Sequence, residues 1–240
     1  MIRHRLNIQE TIATVITEER FLQVAEDEVC LQRKNLQDYI RRHPEFLTSL
    51  RPCESLLGAP EIVQDMTDRA SRVGVGPMAA VAGAIAEYTV KAMVRDGASH
   101  VIFDNGGDIA MFIDYPVVVG VYAGRSEIKN LGFKFEPEGR IVGICTSSAT
   151  VGHSLSLGRA DAAIVVSPDV ILADVAATAL GNAVKSSALH DIRTSLDCVM
   201  TDGITGMMTI IGRSSGWCGE LPDICRADVD FDLISRGERD

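Results

Sequence analysis

The stretch that decides the reading runs from Gly143 to Val184, GICTSSATVGHSLSLGRADAAIVVSPDVILADVAATALGNAV. It divides into three parts. Cys145-Thr146-Ser147-Ser148 is followed by small residues, Gly152 and His153. Ala162 to Val166 is a short apolar run bounded by polar residues, as a buried strand would be. Ser167-Pro168-Asp169 then opens a helix, with Ser167 as the expected cap and Pro168 suited to a first turn that needs no amide. On that helix Asp174 and Thr178 stand four apart and share a face otherwise made of Ala173, Ala176 and Ala177. Two hard oxygens one turn apart suit a Mg²⁺ ion that keeps water and phosphate as its other ligands. The same spacing also suits a threonine bonded to the carbonyl four residues back beside a solvated aspartate.

Composition bounds what surrounds this stretch. The chain has 240 residues, 46% of them apolar, enough for a sizeable core. A net charge of -10 argues against nucleic acid as a partner, because phosphate binding needs clustered Lys and Arg. No apolar run reaches the ~18 residues of a membrane span, and Met1 to Val15 lacks the apolar core of a signal peptide. The six cysteines form no C-x-x-C pair. A cytoplasmic protein with reduced thiols is expected.

Outward from the central stretch, Leu6, Ile8, Ile12 and Ile16 keep a period of two, which predicts a strand over about Arg5 to Thr17. Arg20 to Ala25 is read as its hairpin partner. Val29, Leu36, Tyr39 and Ile40 fit a helix closed by His43-Pro44. Pro52, Gly58 and Pro60 mark a connection, so the expectation is one domain, residues 1–240, with an N-terminal strand–helix arm to about residue 58. Helices follow at Glu61 to Arg72 and, after Pro77, at Met78 to Arg95. The second is rich in small residues, Ala79 to Ala86, with Glu87 as its single central acid. Its N-terminus after Gly74 and Gly76 could face a phosphate or simply pack in the core.

Strands are expected at Ser99 to Asp104 and Ile109 to Ile113, joined by Asn105-Gly106-Gly107-Asp108. That tetrapeptide allows positive φ, for a hairpin turn or for a close approach to a ligand. Val117 to Tyr122 and Arg140 to Thr146 read as strands, with Gly124 to Gly139 as a long loop or irregular ribbon between them. Leu196 to Met200 and Met207 to Ile211 read as two more. The acidic tail, about residues 226–240, is expected to be partly disordered. Short strands separated by both turns and helices predict an α/β (α+β) fold with a mixed, largely antiparallel sheet, the two small-residue helices packed closely together.

The runs D-N-G-G-D-I, I-C-T-S-S and A-D-x-A-A-T-A occur in the order found in the ApbE superfamily, best known for Mg²⁺-dependent FAD:protein FMN transferases. V-G-P-M-A-A-V-A-G-A-I-A-E, I-C-T-S-S-x-T-V-G-H-S-L-S and G-W-x-G-E-L-P resemble more closely an ApbE-related archaeal and bacterial family of unassigned function. The likeness extends from about Leu6 to Pro222. It implies an ApbE-like fold and a homodimer. Asp174 and Thr178 match the transferases' Mg²⁺ ligands. Asn105, Gly106, Gly107 and Asp108 match their flavin-side loop, and Cys145, Thr146, Ser147 and Ser148 match their S-T-S-G. The chain departs at Glu87, where the transferases carry lysine, and at His153-Ser154, all that remains of a longer transferase motif. The N-terminal part that grips FAD in the transferases is also reduced.

Three functions follow. One is binding of a nucleotide, a flavin (FAD or FMN) or another phosphorylated small molecule with Mg²⁺, with Asn105 to Asp108 and Thr146 to Ser148 as the positioning loops, as a transferase of that ligand. A second is thiol or persulfide chemistry in sulfur assimilation. There Cys145 is the nucleophile, its pKa lowered by the following hydroxyls and amides, and His153 is its partner. The third is a binding module that retains the fold without a reaction.

Overall fold

A computed structural model describes residues 1–148 and 158–228. The chain opens with a hairpin, β1 (Ile2–Ile8) and β2 (Thr11–Thr17), in which Leu6 faces Ala13. The single strand expected over Arg5 to Thr17 is therefore two. Gln9 takes a left-handed φ of 54° and turns the chain back in two residues. Arg20 to Ala25 is not a strand either. A short 3-10 turn leads into α1 (Leu22–Arg42), because Ala25, Val29, Gln32, Leu36 and Tyr39 fall on one buried helical face. A one-turn helix, α2 (Glu45–Thr48), and the proline-bounded connection follow.

Helix α3 (Glu61–Val73) stops at Gly74, whose φ of 75° makes a left-handed cap. A 3-10 turn at Pro77–Ala80 runs into α4 (Val81–Arg95). Next come the hairpin β3 (Val101–Asn105) and β4 (Asp108–Phe112), β5 (Val117–Val121), β6 (Leu131–Phe135) and β7 (Val142–Ser147). Strand β6 lies inside the expected loop, where alternating Leu131, Phe133 and Phe135 turn inward to a second small sheet. After the undescribed residues 149–157 come β8 (Ala162–Ser167), α5 (Val170–Ala183) and α6 (Leu189–Val199). Leu196 to Met200 is thus helix end and not strand: Ile192, Ser195, Leu196 and Val199 bury a face with helical spacing. The described chain closes with β9 (Gly206–Ile211), β10 (Ser214–Gly219) and β11 (Asp223–Arg226), and most of the expected acidic tail falls outside the described residues.

The main sheet has the order β1-β2-β3-β4-β7-β8-β9-β10, and every described pairing is antiparallel. The N-terminal hairpin is built into it through β2 and β3. Strands β5 and β6 leave this sheet and form a three-stranded one, β11-β6-β5. Strand alternation divides the interior in two. Val101, Phe103, Ala110, Cys145, Val165 and Met207 share one core with the helices. Ile102, Met111, Ile144, Ile164 and Ile210 share another with Phe133 and Phe135 of the small sheet. Burying a phenylalanine such as Phe133 contributes ~1.5–3 kcal/mol. Among the described residues no single helix is long and apolar enough to cross a membrane.

Helices α4 and α5 approach as the small residues predicted. A Cβ added at Gly83 would stand 2.7 Å from the Asp174 Cβ and 2.9 Å from the Val170 carbonyl oxygen. Gly143 does the same for α5 against β7, with Val170 2.9 Å from its absent Cβ.

Candidate functional site

Strand pairing and these two glycines bring Asp108, Cys145 and Asp174 together. Asp108 and Cys145 are directly opposite across β4 and β7. Both lie on the helix side of the sheet, beneath α5. The Cys145 thiol donates to the Val170 carbonyl at 3.6 Å and is hydrogen-bonded to the Asp108 carboxyl. Asp174, 6% exposed, accepts the Gly83 amide at 2.7 Å.

The electrostatics are acidic. Burial pushes Asp108 up to about 7, and the charge of Asp104 adds to the rise, while bonds from Cys145 and the Thr146 amide hold it down. Asp108 as a residue keeps some solvent contact, but its carboxyl group is enclosed. Burial also raises Asp174 well above the usual carboxylate range, helped by repulsion from Asp108 and opposed by the Gly83 amide. Among the described residues neither carboxyl forms an ion pair with Lys or Arg. Cys145 is fully buried, and its thiol is pushed well above its ordinary value, first by burial and then by Asp108 and Asp174. The lowered thiol expected from the sequence is therefore reversed. The Ile109 amide opposes the rise, as an amide donor was anticipated to do, but burial and the two carboxyls outweigh it.

The other predicted residues are distributed as follows. Asn105 donates to the Ala82 carbonyl of α4 at 3.2 Å, tying the hairpin to that helix. Gly106 and Gly107 have φ of 73° and 105°, and the Gly107 amide bonds to Asp104 at 2.9 Å. The tetrapeptide thus is a hairpin turn, and its rim borders the acidic cluster. Ser147 faces α5, its hydroxyl 3.3 Å from where a Cβ of Gly181 would sit, while alternation turns Thr146 to the opposite face. Ser148 is buried at the strand end. Thr178 is half-buried one turn beyond Asp174 on α5. His153 lies outside the described residues. Among the described residues no three His, Cys, Asp or Glu side chains group closely enough to cage a metal.

The cap of α5 is Asp169, not Ser167. Its carboxylate accepts the Leu172 amide at 2.9 Å and holds Arg69 at 3.1 Å. The Ser167 hydroxyl instead donates to Gly203 and accepts the Asp169 amide, which places Pro168 ahead of the helix. Sequence reasoning also left Glu87 without a partner. Its carboxylate accepts the Val170 and Ile171 amides at 2.7 and 3.1 Å and pairs with Lys91 at 2.6 Å. The only signal available was a lone acid amid small residues, and the two amides it accepts lie more than eighty positions away.

The family model described as AbpE bacteria matches residues 3–202. The chain belongs to this family. Its relatives include a UPF0280 protein of Methanocella arvoryzae, 46% identical over 98% of this chain and 95% of the relative. Another, from Methanococcoides burtonii, is 42% identical over 98% of this chain and 100% of the relative. Among solved structures, the apo form of the flavinyl transferase ApbE of Pseudomonas stutzeri matches with a TM-score of 0.53. It covers 99% of this chain and 97% of that one at 11% identity, which establishes the shared fold.

Proposed function

We propose that the chain binds a flavin nucleotide, or another phosphorylated small molecule, together with Mg²⁺ at the seam between the Asn105–Asp108 hairpin and α5, and that it acts as a transferase of that ligand. The observation that carries this reading is the enclosed Asp108–Asp174 pair. Both carboxyls are raised by burial, and repulsion from Asp108 adds to the rise at Asp174, with no cationic side chain paired to them among the described residues. Such a pair is relieved by a proton or by a cation. The hard oxygens of Asp174 and Thr178 suit Mg²⁺, which would neutralise a ligand phosphate there. The chain's own contribution is placement. The Gly83 amide fixes Asp174, the Val170 carbonyl and Asp108 hold Cys145 as a filled, neutral floor, and the glycines of the hairpin let a ligand approach backbone. The fold shared with a flavinyl transferase supports the flavin as first choice.

The test is a thermal-shift series with FAD, FMN, ATP and NAD, each with and without Mg²⁺. A ligand at one hundred times its Kd adds ~2.7 kcal/mol, a rise of ~5–11 °C for a chain of this size. The rise should need Mg²⁺ and should vanish in Asp174→Ala. No Mg²⁺-dependent rise with any of the four at millimolar concentration refutes the reading.

A further inference from the structure

Glu87 is 5% exposed and sits against the first turn of α5. One carboxylate oxygen takes the amides of Val170 and Ile171, and the other takes the Lys91 ammonium. This is the arrangement in which a helix N-terminus holds a bound anion with its counterion, except that the anion belongs to the protein. Lys91 is half exposed and helps line a groove of about 330 Å³ with Glu61, Tyr88, Val94, Arg95 and Ile141. The Glu87 carboxylate is itself buried, and its partner Lys91 reaches that groove.

We propose that Glu87 is a specificity-determining residue: an internal anion that fills the α5 N-terminus and denies it to ligand phosphate. The inference goes beyond the function proposed above by fixing where phosphate does not bind. The α5 amides at Val170 and Ile171 are spent, so a phosphorylated ligand must be held from the hairpin side, near Asp174. It also gives Lys91 a defined role, as counterion to Glu87 and not as a phosphate ligand.

Removing the carboxylate should expose the seat. Thermal unfolding of wild type, Glu87→Ala and Glu87→Gln is followed with increasing inorganic phosphate or formate, at constant ionic strength made up with chloride and without Mg²⁺ or flavin. The wild type should show no saturable response. Glu87→Ala should be less stable in chloride and should recover with saturation, by ~5–11 °C at one hundred times the anion's Kd. Glu87→Gln keeps an oxygen and fills the space, so it should lose several degrees and stay unresponsive. A folded Glu87→Ala without a saturable anion response overturns the proposal. So does a wild type that responds equally, or a Glu87→Gln as stable as the wild type. Should Glu87→Ala be insoluble in chloride, soluble protein obtained only with phosphate or formate supports the proposal, and insolubility in every anion overturns it. Because the probes are phosphate and formate alone, failure here is separate from failure of the flavin titration.

Discussion

Replacing Gly83 by alanine tests the close approach on which the site depends. The new Cβ would lie 2.7 Å from the Asp174 Cβ, 2.9 Å from the Val170 oxygen and 3.1 Å from Asp174 Oδ2. Carbon pairs rest at ~3.5–4.0 Å, so α4 and α5 must part by roughly 1 Å. Overpacking of this kind costs ~1–3 kcal/mol. Parting the helices also stretches the 2.7 Å bond from the Gly83 amide to Asp174, and such a bond to a protonated carboxyl contributes ~0.5–1.5 kcal/mol. Against this, alanine gains ~1 kcal/mol over glycine in a helix interior. The balance is a loss of about 2 kcal/mol, or ~4–8 °C in Tm. Urea titration should show a lower midpoint with an unchanged slope, since the surface exposed on unfolding is the same. A variant as stable as the wild type, or more stable by the ~1 kcal/mol of helix propensity, would show that Gly83 does not meet α5 and that Asp174 is positioned by something else.

Three further outcomes follow from the same cluster. Asp108 has a folded pKa of about 7, above its unfolded value of ~3.9, so the fold holds its proton. That stabilisation is complete below about pH 4, fades as pH rises, and is gone above about pH 7. Asp108→Asn should therefore be more stable than wild type at pH 8, by on the order of 1–3 kcal/mol, with the gap closing toward pH 4. A gap that grows on acidification would reverse the sign of the argument. Alkylation followed by peptide mass spectrometry should label exposed Cys30 and Cys198 first and leave Cys145 unmodified in the native state up to pH 9. Early labelling of Cys145 would restore the thiolate reading. Asp169→Ala should cost ~1 kcal/mol as a lost cap and release Arg69. An unchanged denaturation midpoint would count against Asp169 as the cap.

The sequence was most legible where a local rule and the tertiary demand agreed. The α3 and α4 boundaries follow from Pro60, Gly74, Pro77 and Gly97, and the β3–β4 turn from two adjacent glycines. The N-terminal hairpin was misread because its tight turn uses Gln9 and Glu10, neither of which is a turn residue by composition. Strand β6 was hidden by the charged residues around Phe133 and Phe135, although their alternation was there to read. The end of α6 was taken for a strand because five residues, Leu196 to Met200, are too few to separate two periods. In the site, the Asp108–Cys145 contact depends on strand register between residues 37 apart, and the Glu87 contact on helix packing. Neither distance is encoded in local pattern. The same limit explains the thiol: the residues next to Cys145 in sequence suggested donors, while those next to it in space are acids.

The small sheet carries a consequence for synthesis. Its outer strand, β11, pairs with β6 from about ninety residues further along the chain, matching Cys225 to Gly132 and Ile224 to Phe133. At ~5–20 residues per second, β6 waits several seconds on the ribosome for that partner. Until Arg226 has emerged, the edge of Leu131 to Lys134 that faces away from β5 lacks its partner strand, beside an aromatic ring that ends fully buried. A chain released before Asp223 would hold every strand of the main sheet and still present a raw edge to its neighbours. Closure of that edge thus rests on four residues, Asp223 to Arg226.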